Sequence, residues 1–351
     1  MENEYEVESA FNKKYNITTR KIVRLLSEDS RISVSEISKR LGVSRPTVKS
    51  KIDKLEKELG IRYTLEIDEK ALGLISPHLI EVKFNREPDY EKIRTVLSES
   101  YIPQVAFSTQ GAYDLVIYAN AFSGGEYIHW NMAMLELLSE YGVKWLPSEM
   151  AHKHLGFFPL RKEAIEKADI DENSKKLLIC LNDDARQSFQ EMSRRMGMHA
   201  STVKYNFDKL MKQGYIKRAT ITMDPVKSLS FMTFFDDYTP TKSFEESSAK
   251  ARKAIMFDEE YPLISRYLVS GPLVGSHTLF VMSVFDSKAS AHKYGLDYHK
   301  RMYAAHDPKR ALGEVKDVIL GRLPIRSVDI RKEYKTINWT TELDHHHAEK
   351  E

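Results

Sequence analysis

The side chains best suited to chemistry lie on two short basic stretches, SRPTVKSKIDK and HASTVKYNFDK. At helical spacing Ser44, Arg45, Thr47, Lys49, Ser50 and Lys54 point away from the apolar Val48, Ile52 and Leu55 of the first stretch. His199, Ser201, Thr202, Lys204, Tyr205 and Lys209 do the same opposite Val203, Phe207 and Leu210. Lys and Arg suit phosphates and guanine edges, and Ser or Thr can meet base edges or backbone. Such a face suits double-stranded DNA and needs no cofactor or metal. Three histidines form a second group: His152 and His154 alternate in HKHLGFF, and His129 stands in EYIHWNM. Paired carboxylates, a glycine-rich phosphate loop and a cysteine cluster are missing from the sequence. The terminal DHHHAEKE reads as a solvated tail rather than a metal site.

The two basic stretches belong to a longer duplication. Thr19 to Lys57 and Ser174 to Lys212 align without gaps, with 16 identities in 39 positions. Each copy predicts a first helix (Ile22, Val23, Leu25, Leu26; Leu177, Leu178, Cys180, Leu181) ending near Asp29 or Asp184. A second helix opens on Ser33 with Glu36, or Ser188 with Glu191, in capping-box spacing. Gly42 or Gly197 ends it, because glycine accepts a left-handed conformation cheaply. The third helix starts at Ser44 or His199 and carries the basic face. GIRYTLEID and GYIKRATITMD then predict a β-ribbon, completing a winged helix-turn-helix in each copy. In the second copy His199 and Ala200 replace Ser44 and Arg45, so the two faces differ.

Charge follows the same division. The chain of 351 residues carries a net charge of +2, yet residues 17–62 hold 12 Lys and Arg against 6 Asp and Glu, and residues 174–218 hold 10 against 4. Positive charge is therefore concentrated on the two copies, as expected of surfaces that meet a polyanion. Apolar content of 42% and charged content of 30% are those of a globular chain with several cores. No apolar run has the length of a membrane span, so a cytoplasmic protein is expected. The single cysteine, Cys180, lies in an apolar helix and reads as a buried structural thiol.

Between and after the basic copies the pattern changes to β-α-β-β-α-β, the ferredoxin-like motif. HLIEVKFN, PQVAFSTQGAYDLVIYANAF and VKWLPSEM supply the strands of the first unit. FMTFFDDY, ISRYLVSGPLVGSHTLFVMSVF and EVKDVILGRLP supply those of the second, and LGFFPLR at 155–161 recurs as LGRLPIR at 320–326. The expected class is α+β: two winged helix-turn-helix domains (17–70 and 174–226) alternating with two ferredoxin-like domains (76–160 and 229–330). A stiff charged linker, 161–173, joins the halves and a tail runs over 331–351.

Winged helix followed by β-α-β-β-α-β, with Gly111 and Asp114 at the central hairpin of STQGAYDLV, resembles the leucine- and asparagine-responsive regulators, Lrp/AsnC. Their sheet unit is the RAM domain. The resemblance implies a transcriptional regulator whose third helices, 44–58 and 199–213, enter the major groove. It also implies self-association through RAM-type sheets, within or between chains, and a small effector, often an amino acid, near the hairpin. Gly111, Ala112, Tyr113 and Asp114 are therefore the expected effector residues. Backbone N–H groups at such a turn suit a carboxylate and Asp114 an ammonium; the plainer alternative is that Gly111 closes a hairpin and Asp114 caps a strand. Thr278 stands where the second copy would need that aspartate. HKHLGFF is also similar to the siroheme decarboxylases, which share the tandem fold; that resemblance implies catalytic roles for His152, His154 and His129. The basic, groove-shaped third helix favours the regulator.

Overall fold

The computed structural model describes residues 14–151, 153, 156–223, 229–236, 267–285 and 310–324. The first helical unit comprises α1 (Ile17–Glu28), α2 (Val34–Leu41) and α3 (Arg45–Leu59). Each start is capped by the side chain its sequence offers: Asn16, Ser33 and Ser44 accept backbone N–H groups of Thr19, Glu36 and Thr47. Gly42 takes φ 65° and turns the chain between α2 and α3. Glu36 leaves the expected capping box half made and pairs with Arg40 at 2.8 Å instead. A strand, β1 (Arg62–Ile67), follows α3.

The first sheet unit comprises β2 (Ser76–Phe84), α4 (Tyr90–Ser98), β3 (Pro103–Gly111), β4 (Leu115–Ala121), α5 (Gly124–Leu137) and β5 (Val143–Met150). The connector carries α6 (Lys162–Lys167), and the second helical unit α7 (Glu172–Asp183), α8 (Phe189–Met196) and α9 (Ala200–Lys212). Here Ser188 and Glu191 form the full capping box. Strand β6 (Ile216–Met223) and the strands β7 (Ser230–Asp236), β8 (Tyr267–Gly275), β9 (Leu279–Phe285), β10 (Arg310–Leu320) and β11 (Leu323–Pro324) complete the order. The expected second-unit helices, the tail and its histidines lie outside the described residues. No described helix is long and apolar enough to cross a membrane.

Among the described residues the expected wing does not close within either copy. Each copy contributes one strand, and β1 pairs antiparallel with β6 of the other copy. The strands are also exchanged in packing. Leu65 and Ile67 of β1 share a core with Leu177, Leu178 and Leu181 of α7, while Ile221 and Met223 of β6 join that of Ile22, Val23 and Leu26 of α1. A lone strand in its own copy would leave its N–H and C=O groups unpaired, and the other copy supplies what is missing.

The two sheet units likewise join rather than stack. Each has ferredoxin-like order, and they close edge to edge into an eight-stranded barrel, β10-β3-β4-β2-β5-β8-β9-β7. Residues on one face of β2 and β4 (Ile80, Val82, Leu115, Ile117) pack with Tyr127, Trp130 and Met134 of α5. Those on the other (Leu79, Val116, Tyr118) share the interior with Phe158, Phe235 and Phe280. Burial on both faces explains why LVIYANA lacks an outward polar row.

Glycines mark where the halves touch. Gly156 and Gly321, the repeated glycines of LGFFPLR and LGRLPIR, both take positive φ. A Cβ would lie 1.8 Å from the Leu268 carbonyl oxygen at Gly156 and 2.4 Å from that of Gln104 at Gly321. At Gly111, φ 146°, the same atom would meet the Leu312 oxygen at 2.3 Å. Gly111→Ala should therefore cost at least about 2 kcal/mol in denaturant unfolding, from backbone strain and displacement of β10. Gly42→Ala, with open space around it, should cost only about 1 kcal/mol; equal losses would remove the seam as the cause.

Candidate nucleic-acid interface

Helix α3 is anchored by Val48, Ile52, Leu55 and Leu59, all buried, so its other side must face out. Ser44, Arg45, Thr47, Lys49, Ser50 and Lys54 are all exposed. On α9, Val203 and Leu210 are buried and Phe207 is half-buried. This leaves His199, Ser201, Thr202, Lys204, Tyr205 and Lys209 exposed, with Tyr205 at 68%. The structure thus brings each expected set onto one helix face.

Some of these groups have internal duties. Ser44 Oγ lies 2.8 Å from Thr47 Oγ1 and accepts the Thr47 N–H, so its first role is the cap. His199 caps α9 through Nδ1, which accepts from Ser201 N at 3.4 Å. Lys54 pairs loosely with Glu58 at 3.7 Å, and Lys209 with Asp171 at 3.9 Å. Exposed pairs of this kind hold little energy and give way readily to a phosphate. Lys51, one position outside the expected set, instead ties α3 to α1 by donating to Thr19 Oγ1 at 3.0 Å.

The two faces are held in one unit by contacts about the β1–β6 pair. Thr64 lies opposite Thr220 at its centre. Thr64 Oγ1 donates to the Asn182 carbonyl at 3.0 Å, and Thr220 Oγ1 to the Ser27 carbonyl at 2.8 Å. The relation is that of a two-fold axis inside one chain. Glu66 and Arg218 pair across the strands at 2.7 Å. Arg31 reaches further: its guanidinium donates to the carbonyls of Ala185 and Gln187 and lies 4.7 Å and 5.3 Å from the ring centres of Phe189 and Phe207. Arg186, its counterpart, sits over Tyr63 at 4.8 Å. Sequence reasoning about exposed cations passes over both arginines, although the repeated Asp29-Ser30-Arg31 and Asp184-Ala185-Arg186 marks them.

The Gly111–Asp114 turn lies at the junction of β3 with β10. Ala112 N donates to the Leu312 carbonyl at 2.9 Å and Asp114 N to that of Val82 at 2.9 Å. Asp114 receives Lys83 Nζ at 2.7 Å and Phe84 N at 2.8 Å. The N–H groups of Ala112 and Asp114 and the carboxylate are thus engaged internally. Tyr113 is buried and donates to the Thr233 carbonyl at 2.8 Å. In the second half His277 occupies the matching place and meets Glu81 at 2.9 Å. His129 is exposed on α5; His152 and His154 lie outside the described residues. Cys180 is buried, and burial pushes its thiol above the usual value. No group of three or more metal-ligating side chains occurs among the described residues.

The family profile for winged helix-turn-helix DNA-binding matches residues 15–58 and 170–217. HTH-type transcriptional regulator LrpA1 of Halobacterium salinarum is 32% identical over 108 residues, 30% of this chain and 75% of the relative. The chain belongs to the Lrp/AsnC family. An uncharacterised HTH-type transcriptional regulator of Pyrococcus furiosus is also 32% identical, over 28% of this chain and 68% of its own length. These Lrp/AsnC relatives match less than a third of the chain, in keeping with a duplication. Crystal structures of the siroheme decarboxylase NirDL share the whole tandem architecture: one has a TM-score of 0.54 at 15% identity, covering 91% of this chain and 97% of that one. Identity that low speaks to fold alone.

Replacing Arg31 by alanine should cost about 2–3 kcal/mol in urea unfolding, from two charge-assisted hydrogen bonds and the ring contacts. Arg31→Lys should recover only part, since an ammonium keeps the charge and the donors but loses the planar stacking on Phe189 and Phe207. A loss below about 0.5 kcal/mol would mean the clamp does not hold the helical units.

Proposed function

We propose that the chain is a sequence-specific, double-stranded-DNA-binding transcriptional regulator of Lrp/AsnC type, acting in the cytoplasm, that carries both readers of a dimer in one polypeptide. The observation that carries this reading is the exchanged β1–β6 pair, which fixes two exposed basic helices, unlike in sequence, about one internal axis. A symmetric dimer reads a palindrome. Here Arg45 faces its half-site where the second reader has Ala200, and Tyr205 stands where the first has Ser50. The favoured operator has two unlike half-sites in one fixed orientation.

Binding should weaken steeply with salt, by a slope of about −0.9 per phosphate neutralised. Lys49→Ala with Lys204→Ala should lower that slope by about 2 and weaken all duplexes alike. Arg45→Ala should instead relax preference at one or two base pairs of one half-site, at about 1–3 kcal/mol if it reads a guanine. Unchanged affinity in both variants, measured by fluorescence anisotropy, would remove these helices from the interface.

An amino-acid effector at Gly111, Ala112, Tyr113 and Asp114 is the finer part of the proposal. Its ammonium would compete with Lys83 for Asp114, and its carboxylate with the Leu312 carbonyl for the Ala112 N–H. Because that turn lies on the seam between sheet units, a ligand there would bias their packing, and DNA affinity would change only by its preference for one packing. Asp114→Ala should keep the fold and DNA binding but lose the thermal shift given by whichever of the twenty amino acids stabilises the parent protein. A retained shift places the effector elsewhere.

We read the chain as a regulator without catalytic activity, and the decarboxylase fold makes the competing outcome specific. One purified sample should be retained on immobilised duplex DNA in a salt-dependent way and show no tetrapyrrole absorbance. Colour without retention would overturn the regulator.

A further inference from the structure

Helix α5 buries Tyr127, Trp130 and Met134 against its own sheet, yet its outer side is apolar as well. Ile128, Met132 and Leu135 recur at i, i+4 and i+7 and are 57%, 64% and 37% exposed. A helix apolar on both sides is normally covered on both sides, and a contiguous exposed apolar stripe marks an interaction surface. We propose that this face binds the same face of a second copy of the chain, with the two α5 helices antiparallel about a two-fold axis at Met132.

The stripe is complementary to itself. Ile128 and Leu135 lie four and three residues either side of Met132, so antiparallel pairing sets Ile128 of each copy against Leu135 of the other. His129 and Glu136 lie three and four residues either side, so each imidazole N–H faces the other copy's carboxylate. Gly125, exposed and without a side chain, lets the backbones approach near the helix start. Other occupants fit less well. Gly124–Leu137 contains no Lys or Arg, the residues that draw an amphipathic helix to an anionic lipid surface. An isologous pair, in contrast, closes on itself. Two chains joined this way present four recognition helices.

Sedimentation velocity on the full chain, without DNA, tests the pairing independently of the DNA reading. The parent protein should pass from one-chain to two-chain particles as concentration rises. Ile128→Glu with Met132→Glu should raise the dissociation constant at least about tenfold while leaving the circular dichroism unchanged, and the melting temperature unchanged at concentrations where both proteins are one-chain particles. If the glutamates disturb the helix, Ile128→Gln with Met132→Gln should weaken pairing in the same direction. Glu136→Arg should weaken it about threefold, and adding His129→Glu should restore it. One-chain particles at every concentration, or two-chain particles indifferent to the paired substitutions, would overturn the proposal. Failure of the charge exchange to restore pairing would overturn the antiparallel register.

Discussion

A β-strand cannot stay unpaired beneath a helical unit, because each buried N–H and C=O needs a partner. Strand β1 has no partner in its own copy and finds one in β6, 149 to 160 residues away in the paired register. The geometry of the protein depends on that pairing. It exchanges the two strands between helical units, brings Thr64 opposite Thr220, and places Arg31 where it reaches the carbonyls after α7. The recognition helices inherit their relation from this arrangement.

The barrel repeats the principle at larger scale. A four-stranded ferredoxin-like sheet has two free edges, and each is closed here by the other half: β3 by β10 and β5 by β8. Arg94 adds a tie from α4 to the Ile319 carbonyl at 2.9 Å. Arg161 spreads its donors over the carbonyls of Ser100 and Pro103, at 2.8 Å and 2.9 Å, and so fastens the connector to the first sheet unit. What symmetric proteins achieve between two chains is built here within one, which frees the two readers to diverge.

Much of this was legible in the residues. Glycines, caps and apolar periodicity mark the helices because each is a local requirement: Ser188 and Glu191 close their box as their spacing demands, and Val48, Ile52 and Leu55 are buried as their period demands. The basic faces follow by subtraction, since what is not needed for packing points outward. Strand partnership was not legible. GIRYTLEID specifies a half-buried strand but not its partner, because β1–β6 pairing is a long-range choice made by whole units. The bonding of the Gly111–Asp114 turn is hidden for the same reason: the Ala112 N–H is taken by the Leu312 carbonyl of β10, about 200 residues away. Yet the repeated LGFFPLR and LGRLPIR carried the sign of that approach, since only glycine fits where another backbone passes so close.

One chain here supplies two unlike readers held about an internal axis. Selection of bound duplexes from a randomised library tests it directly. Two half-sites one helical turn or a multiple apart, different in sequence and fixed in relative orientation, should be enriched, with Arg45→Ala changing only one of them. Enrichment of a perfect palindrome that Arg45→Ala alters in both halves, or no enrichment at all, would contradict it.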